Sequence, residues 1–78
     1  MNLRNLQYFC AAYEAGSTVG AARACHVTQP AVSAAIASLE AELGVLLFVR
    51  GQRGLSPTPA GIRLFRLGGK LLADAQAI

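Results

Sequence analysis

Three times within the first 44 residues, a helix-capping side chain is followed by an apolar pattern of helical period and then a stop. That punctuation leaves room only for short helices with tight connections. Asn2 can cap a first helix on which Leu3, Leu6, Phe9, Cys10 and Tyr13 recur at helical spacing. Gly16 then stands where a left-handed C-cap is wanted. Ser17 offers the second cap, and Val19, Ala21, Ala22 and Cys25 form a small-residue face that stops near His26. Thr28 offers the third. Gln29 and Pro30 follow in the first turn, where the missing proline N–H costs nothing. Val32, Ile36, Leu39 and Leu43 then make one apolar stripe, ended by Gly44.

The pattern changes after Gly44. Leu47-Phe48-Val49-Arg50 and Leu55-Ser56 flank Gly51-Gln52-Arg53-Gly54, two short extended runs around a glycine-bounded turn, which reads as a β-hairpin. Pro57 ends its second strand or confines it to an edge. Thr58-Pro59 is again a cap followed by a first-turn proline, and the last helix is expected from Pro59 to near Ile78. Leu64, Gly68, Leu71, Ala75 and Ile78 alternate spacings of four and three, the rhythm of a helix-pairing seam, with Leu72 beside it. Gly68-Gly69 costs that helix about 1 kcal/mol per glycine relative to alanine. Either another helix approaches closely there or the helix bends.

A chain of 78 residues is one small domain. At this size folding buries only about 60% of the unfolded surface, so the domain gains from a partner. The net charge of +3 permits a polyanion partner without demanding one. Placement is more telling: Glu14, Glu40, Glu42 and Asp74 lie in helical stretches, whereas Arg50 and Arg53 flank the glycine-rich turn. Cys10 and Cys25 lack metal-ligand spacing and read as small buried hydrophobes, and His26 as a structural turn residue. No metal or cofactor is expected. The start MNLRNLQYF is no signal peptide, and no apolar run approaches the roughly 20 residues that span a bilayer. The expected home is a reducing cytoplasm.

Two short helices joined by a tight turn, the second opening at Thr28-Gln29-Pro30, point to a helix-turn-helix. Burying Val32, Ile36 and Leu39 leaves Gln29, Pro30 and Ser33 free at the N-terminal end of the third helix. In this motif that end reaches base edges. Gln29 can pair bidentately with adenine, and Pro30 can meet a thymine methyl. Pro30 is also fully explained as a helix-start residue, and Ser33 as a neutral surface residue. Ser17 and Thr28, beside helix N-terminal N–H groups, suit phosphate oxygens. Arg53 at the hairpin tip suits a narrow A·T-rich minor groove. Arg50 is a second candidate, with Glu40 or Glu42 as an alternative ion-pair partner.

The ordered set Thr28-Gln29-Pro30, Ser33, Leu39-Glu40, Glu42-Leu43-Gly44, Leu47-Phe48, Arg50 and Thr58 resembles the N-terminal domain of LysR-type transcriptional regulators. The likeness runs from Leu3 to at least Gly61. The molybdate-responsive regulators have a similar domain and are the neighbouring alternative. The resemblance implies a mainly α fold: a winged helix-turn-helix, with a three-helix core and a two-stranded wing, over residues 1–58. A long linker and dimerisation helix would follow over 59–78. It also implies a bacterial, nucleoid-associated module that binds duplex DNA at an A·T-flanked interrupted inverted repeat. The recognition helix would be about residues 28–43, in the major groove, and the wing 47–56, at the adjacent minor groove. Ser17, Thr18, Thr28, Gln29, Pro30, Ser33, Ala34, Arg50, Arg53 and Thr58 would face DNA. Leu64, Gly68, Leu71, Leu72, Ala75 and Ile78 would pair two protomers, with a tetramer as the next order in the full-length protein. A small-molecule effector would act only through a further domain, expected outside these 78 residues.

The departures matter. The family usually has an aromatic where this chain has Thr18, a leucine in place of Cys25, and arginine and glutamine where it has Ala34-Ala35 and Ala37. Weaker intrinsic binding is expected, carried more by Gln29, Pro30, Ser33 and the wing. The scarcity of basic residues on the third helix motivates a rival, a protein-interaction bundle. An enzyme is disfavoured, since there is one histidine and no glycine-rich phosphate loop.

Overall fold

Six elements follow in order in a computed structural model that describes residues 1–76. They are helices α1 (Leu3–Ala15), α2 (Thr18–Cys25) and α3 (Gln29–Leu43), strands β1 (Phe48–Gly51) and β2 (Gly54–Pro57), and helix α4 (Pro59–Gln76). Each start is set by the side chain the sequence offers. The Asn2 carboxamide oxygen accepts from the N–H groups of Arg4 and Asn5, at 2.7 and 3.3 Å. Ser17 Oγ accepts from Gly20 N–H at 3.0 Å, and Thr28 Oγ1 from Ala31 N–H at 3.3 Å. Each cap satisfies a backbone donor that the helix itself cannot. Gly16 and Gly44 close α1 and α3 at φ 71° and 69°.

The stop of α2 is different. His26 caps it in the left-handed region, at φ 57°, and its N–H returns to Ala22 and Arg23 carbonyls. Its side chain is exposed. The expected structural role is therefore a backbone role. It costs a non-glycine residue roughly 1 kcal/mol. His26→Gly is expected to leave the domain as stable or up to about 1 kcal/mol more stable, the relief of strain being offset by glycine's greater unfolded-state entropy. Urea titration followed by circular dichroism checks this, and a clear loss would mean that the imidazole holds the turn.

The core gathers Leu6, Phe9 and Ala12 of α1, Ala21 and Ala22 of α2, Val32, Ile36 and Leu39 of α3, and Leu47 and Phe48. Leu6, Phe9, Val32, Leu39 and Leu47 are essentially sealed from solvent. The small α2 face lets α2 lie close against α1 and α3, as expected of alanine. The α3 stripe ends one step early, since Leu43 is exposed while Ala35 is buried. Cys10 is buried, but Cys25 is only half-buried, which corrects the expectation that both are core residues. Burial, with Glu14 adding to it, pushes the Cys10 thiol up to about 11, so it stays protonated and unreactive.

β1 and β2 form an antiparallel hairpin in the register Phe48↔Pro57 to Gly51↔Gly54, with Gln52 and Arg53 at the tip. Its base is tied down three ways around Leu47. The Glu40 carboxylate accepts from Leu47 N–H at 2.7 Å, the Leu47 carbonyl accepts from Thr58 N–H at 3.0 Å, and Thr58 Oγ1 donates to the Leu46 carbonyl at 2.7 Å. Thr58 Oγ1 also accepts from Gly61 N–H at 3.1 Å, which starts α4.

α4 is one continuous helix, so Gly68 marks a close approach and not a break. A Cβ there would lie 2.7 Å from Leu6 Cδ1. Leu64, Phe65 and Leu72 also pack on the core, and the Phe65 ring stacks on Tyr13 with centroids 3.9 Å apart. This corrects part of the expected pairing seam. Gly68 is buried against α1, and Leu64 and Leu72 are turned toward the same core, whereas Leu71 and Ala75 are exposed. Leu67, which the heptad rhythm passes over, is 70% exposed. Ile78 lies outside the described residues. A heptad pattern records only that two apolar rows exist, not whether the second row meets the same chain or another.

Candidate nucleic-acid interface

The first turn of α3 stands free. Thr28, Gln29, Pro30 and Ala34 are exposed and Ser33 is half-exposed, while Val32, Ala35, Ile36 and Leu39 on the opposite side are buried. The turn is held by Thr28 from its own end and by a contact from α2. Gln29 Nε2 donates to Thr18 Oγ1 at 3.1 Å and to Ser33 Oγ at 3.2 Å. Ser33 is the i+4 neighbour on the same helix face. Thr18 reaches across from the first residue of α2 and is 8% exposed, the one buried polar side chain among the described residues.

The wing sits beside this surface. Leu55 N–H donates to the Gly16 carbonyl at 2.9 Å, which fixes β2 against the α1–α2 turn. Gly54, at φ 106°, makes that approach, and a Cβ on it would lie 2.4 Å from the Gly16 oxygen. Between them runs an open cleft, with Ser17, Thr18 and Val19 on one wall and Arg50, Gly51, Gln52, Gly54 and Leu55 on the other. Thr18 thus belongs both to the cleft and to the support of Gln29. Arg53 lies at the hairpin tip, between Gln52 and Gly54, and is exposed.

The structure sorts the sequence candidates. Gln29, Pro30, Ala34, Arg50 and Arg53 present exposed side chains, that of Gln29 with its amide nitrogen tied to Thr18 and Ser33. Ser17 and Thr28 have hydroxyls already engaged in capping. Thr18 is buried, and its hydroxyl faces Gln29 instead of solvent. The Thr58 hydroxyl makes two hydrogen bonds that join the wing base to α4, so its part is structural. Glu40 serves the Leu47 N–H and Glu42 pairs with the terminal ammonium at 3.2 Å, so neither takes Arg50. The role of Glu40 was not read from the sequence, because its partner is a backbone group seven residues on.

A free helix N-terminal turn beside a hairpin with exposed arginines is a surface for a polyanion with readable edges. Comparison with known proteins agrees. Residues 3–62 match the family model described as "Bacterial regulatory helix-turn-helix protein, lysR family". The chain is 52% identical over 61 residues to the HTH-type transcriptional regulator TfdS of Cupriavidus pinatubonensis, covering 78% of this chain and 21% of TfdS. It is 45% identical over 76 residues to the nitrogen assimilation regulatory protein nac of Klebsiella aerogenes, covering 97% and 25%. The chain therefore spans about a quarter or less of these relatives' length. Its fold superimposes on that in a crystal structure of the CbnR_DBD–DNA complex with a TM-score of 0.94 at 39% identity, covering 99% of this chain and 88% of the other. With winged helix-turn-helix architecture, an open reading surface and relatives that are regulators and not enzymes, this chain belongs to the LysR family of bacterial regulatory helix-turn-helix proteins.

Proposed function

We propose that this module binds duplex DNA sequence-specifically, with the first turn of α3 in the major groove and the wing along the adjacent minor groove. The observation that carries the reading is the exposure of Gln29 and Pro30 on a turn that α2 braces from behind. The fold shared with a DNA-bound domain supports it. Gln29 and Pro30 read base edges, Arg53 enters the minor groove, and Arg50 and the N–H groups at the start of α2 meet phosphates. Two protomers pair through α4, using the exposed Leu67, Leu71 and Ala75, and so match an interrupted inverted repeat with A·T-rich flanks. The effector response and any tetramer belong to a larger protein.

The test is a mobility-shift titration of the chain on duplexes selected from a random pool, repeated across salt concentrations. Steep weakening with salt and a preferred sequence are expected. Arg53→Ala should weaken binding and, where the arginine neutralises a phosphate charge, lower the salt slope by about one unit. Binding that is indifferent to sequence, salt and Arg53 would instead favour a protein-interaction bundle.

A further inference from the structure

We propose that Thr18 is a specificity-determining positioning residue, which tethers the Gln29 carboxamide so that only one end of it reads a base. The inference rests on the assignment of Gln29 to the DNA surface. The Gln29 amide nitrogen donates twice within the protein, to Thr18 Oγ1 at 3.1 Å and, at the helix surface, to Ser33 Oγ at 3.2 Å, which engages both of its hydrogens when each bond takes one. A glutamine that grips adenine bidentately must offer its oxygen to N6 and an N–H to N7 together. Held as it is here, it offers the oxygen alone. That lone acceptor suits the exocyclic amino group of adenine or of cytosine, and so distinguishes fewer base pairs.

Three features make the tether more than a passing surface contact. Thr18 is 8% exposed, so its hydroxyl has little water to turn to. It is the first residue of α2, whose start is fixed by the Ser17 cap, so its direction is set by the backbone. The partners are also hydroxyls, which can donate as well as accept. Turning the amide over would bring its oxygen to the two hydroxyls and leave the N–H groups outward. In either orientation one end of the amide is spent on the protein. An apolar side chain at position 18 would leave Gln29 with Ser33 alone and free one hydrogen for N7.

Two measurements on the 78-residue chain test this. In its free state, nitrogen-15 NMR should show the Gln29 side-chain amide protons shifted away from those of exposed Gln7 and Gln52. In Thr18→Val they should move toward those controls, and in Thr18→Ser they should stay. Gln29 signals that match Gln7 in the unsubstituted chain and do not respond to Thr18→Val would overturn the tether. The second readout is the base preference at each position of the selected duplex. Thr18→Val should raise the preference for adenine at one position per half-site by roughly fivefold to tenfold, the worth of one added hydrogen bond. Thr18→Ser should keep the original profile. An equal loss on every duplex, or an unchanged profile, would overturn the role in specificity. Should Thr18→Val fail to fold, Ser33→Ala removes the other arm from the helix surface and should shift the preference in the same direction. If the unsubstituted chain prefers no duplex while the Gln29 signals remain shifted, the DNA reading of Gln29 fails and the role in specificity falls with it, although the tether itself stands.

Discussion

Gly61→Ala should destabilise this domain by about 3 kcal/mol or more, while Gly69→Ala, two turns along the same helix, should stabilise it by up to about 1 kcal/mol. In an isolated helix the two changes would be equivalent, since alanine gains helix propensity at both. Their surroundings reverse the sign. A Cβ at Gly61 would lie 2.2 Å from the Leu47 carbonyl oxygen, which is backbone and cannot swing aside. Leu47 cannot retreat either. Its side chain is sealed in the core, its N–H is held by Glu40, and its carbonyl accepts from Thr58. At Gly69 nothing lies within 4 Å. Gly68→Ala should fall between, with a net loss of about 1 kcal/mol, because the obstacle is the end of the Leu6 side chain, which can shift only by disturbing a packed core. For a domain of this size 1 kcal/mol moves the melting temperature by about 4–8 °C. The Gly61 variant should therefore melt at least about 12 °C lower and the Gly69 variant higher. Thermal melts of the three variants decide the matter. Equal stability of Gly61→Ala and the unsubstituted chain would mean that α4 does not rest on Leu47.

Gln29→Ala should lower affinity for the preferred duplex by about fivefold to tenfold and leave binding to random DNA nearly unchanged. The amide carries no charge, so its loss should not alter the salt slope, and the whole effect should fall on discrimination between base pairs. The size is bounded by the single base hydrogen bond that the free end of the amide makes, worth about 1 kcal/mol. Stability should fall by only about 1 kcal/mol, because the Gln29 side chain is exposed and the one buried group it leaves behind is the Thr18 hydroxyl. The Ser33 hydroxyl also loses a partner, but it stands at the surface, where water replaces it. The check is a titration of both proteins on the selected duplex and on a scrambled one. A loss that is equal on the two duplexes would show that Gln29 supports the fold and reads nothing.

Helix starts and stops were legible in the sequence because they are local. Asn2, Ser17, Thr28 and Thr58 each satisfy backbone donors two or three residues on, and Gly16 and Gly44 adopt a conformation that other residues avoid. The hairpin was legible for the same reason. The free turn at Gln29 and Pro30 followed from the apolar stripe on the other side of α3. Less legible were features whose cause lies far along the chain. Glu40 and Thr58 meet the 46–47 segment from opposite directions, and Gly68 meets Leu6. The pairing seam misled in part because one helix carries two adjacent apolar rows.

The amino-acid sequence by itself determined the helices, the wing and the face of α3 that turns inward, because caps, glycines and apolar period act over a few residues. Only the tertiary structure decided that Thr18 braces Gln29, that Gly54 and Gly61 must stay glycine, and which row of α4 remains exposed. Those outcomes depend on distances between elements, and such distances are set by how whole side chains pack once the helices meet.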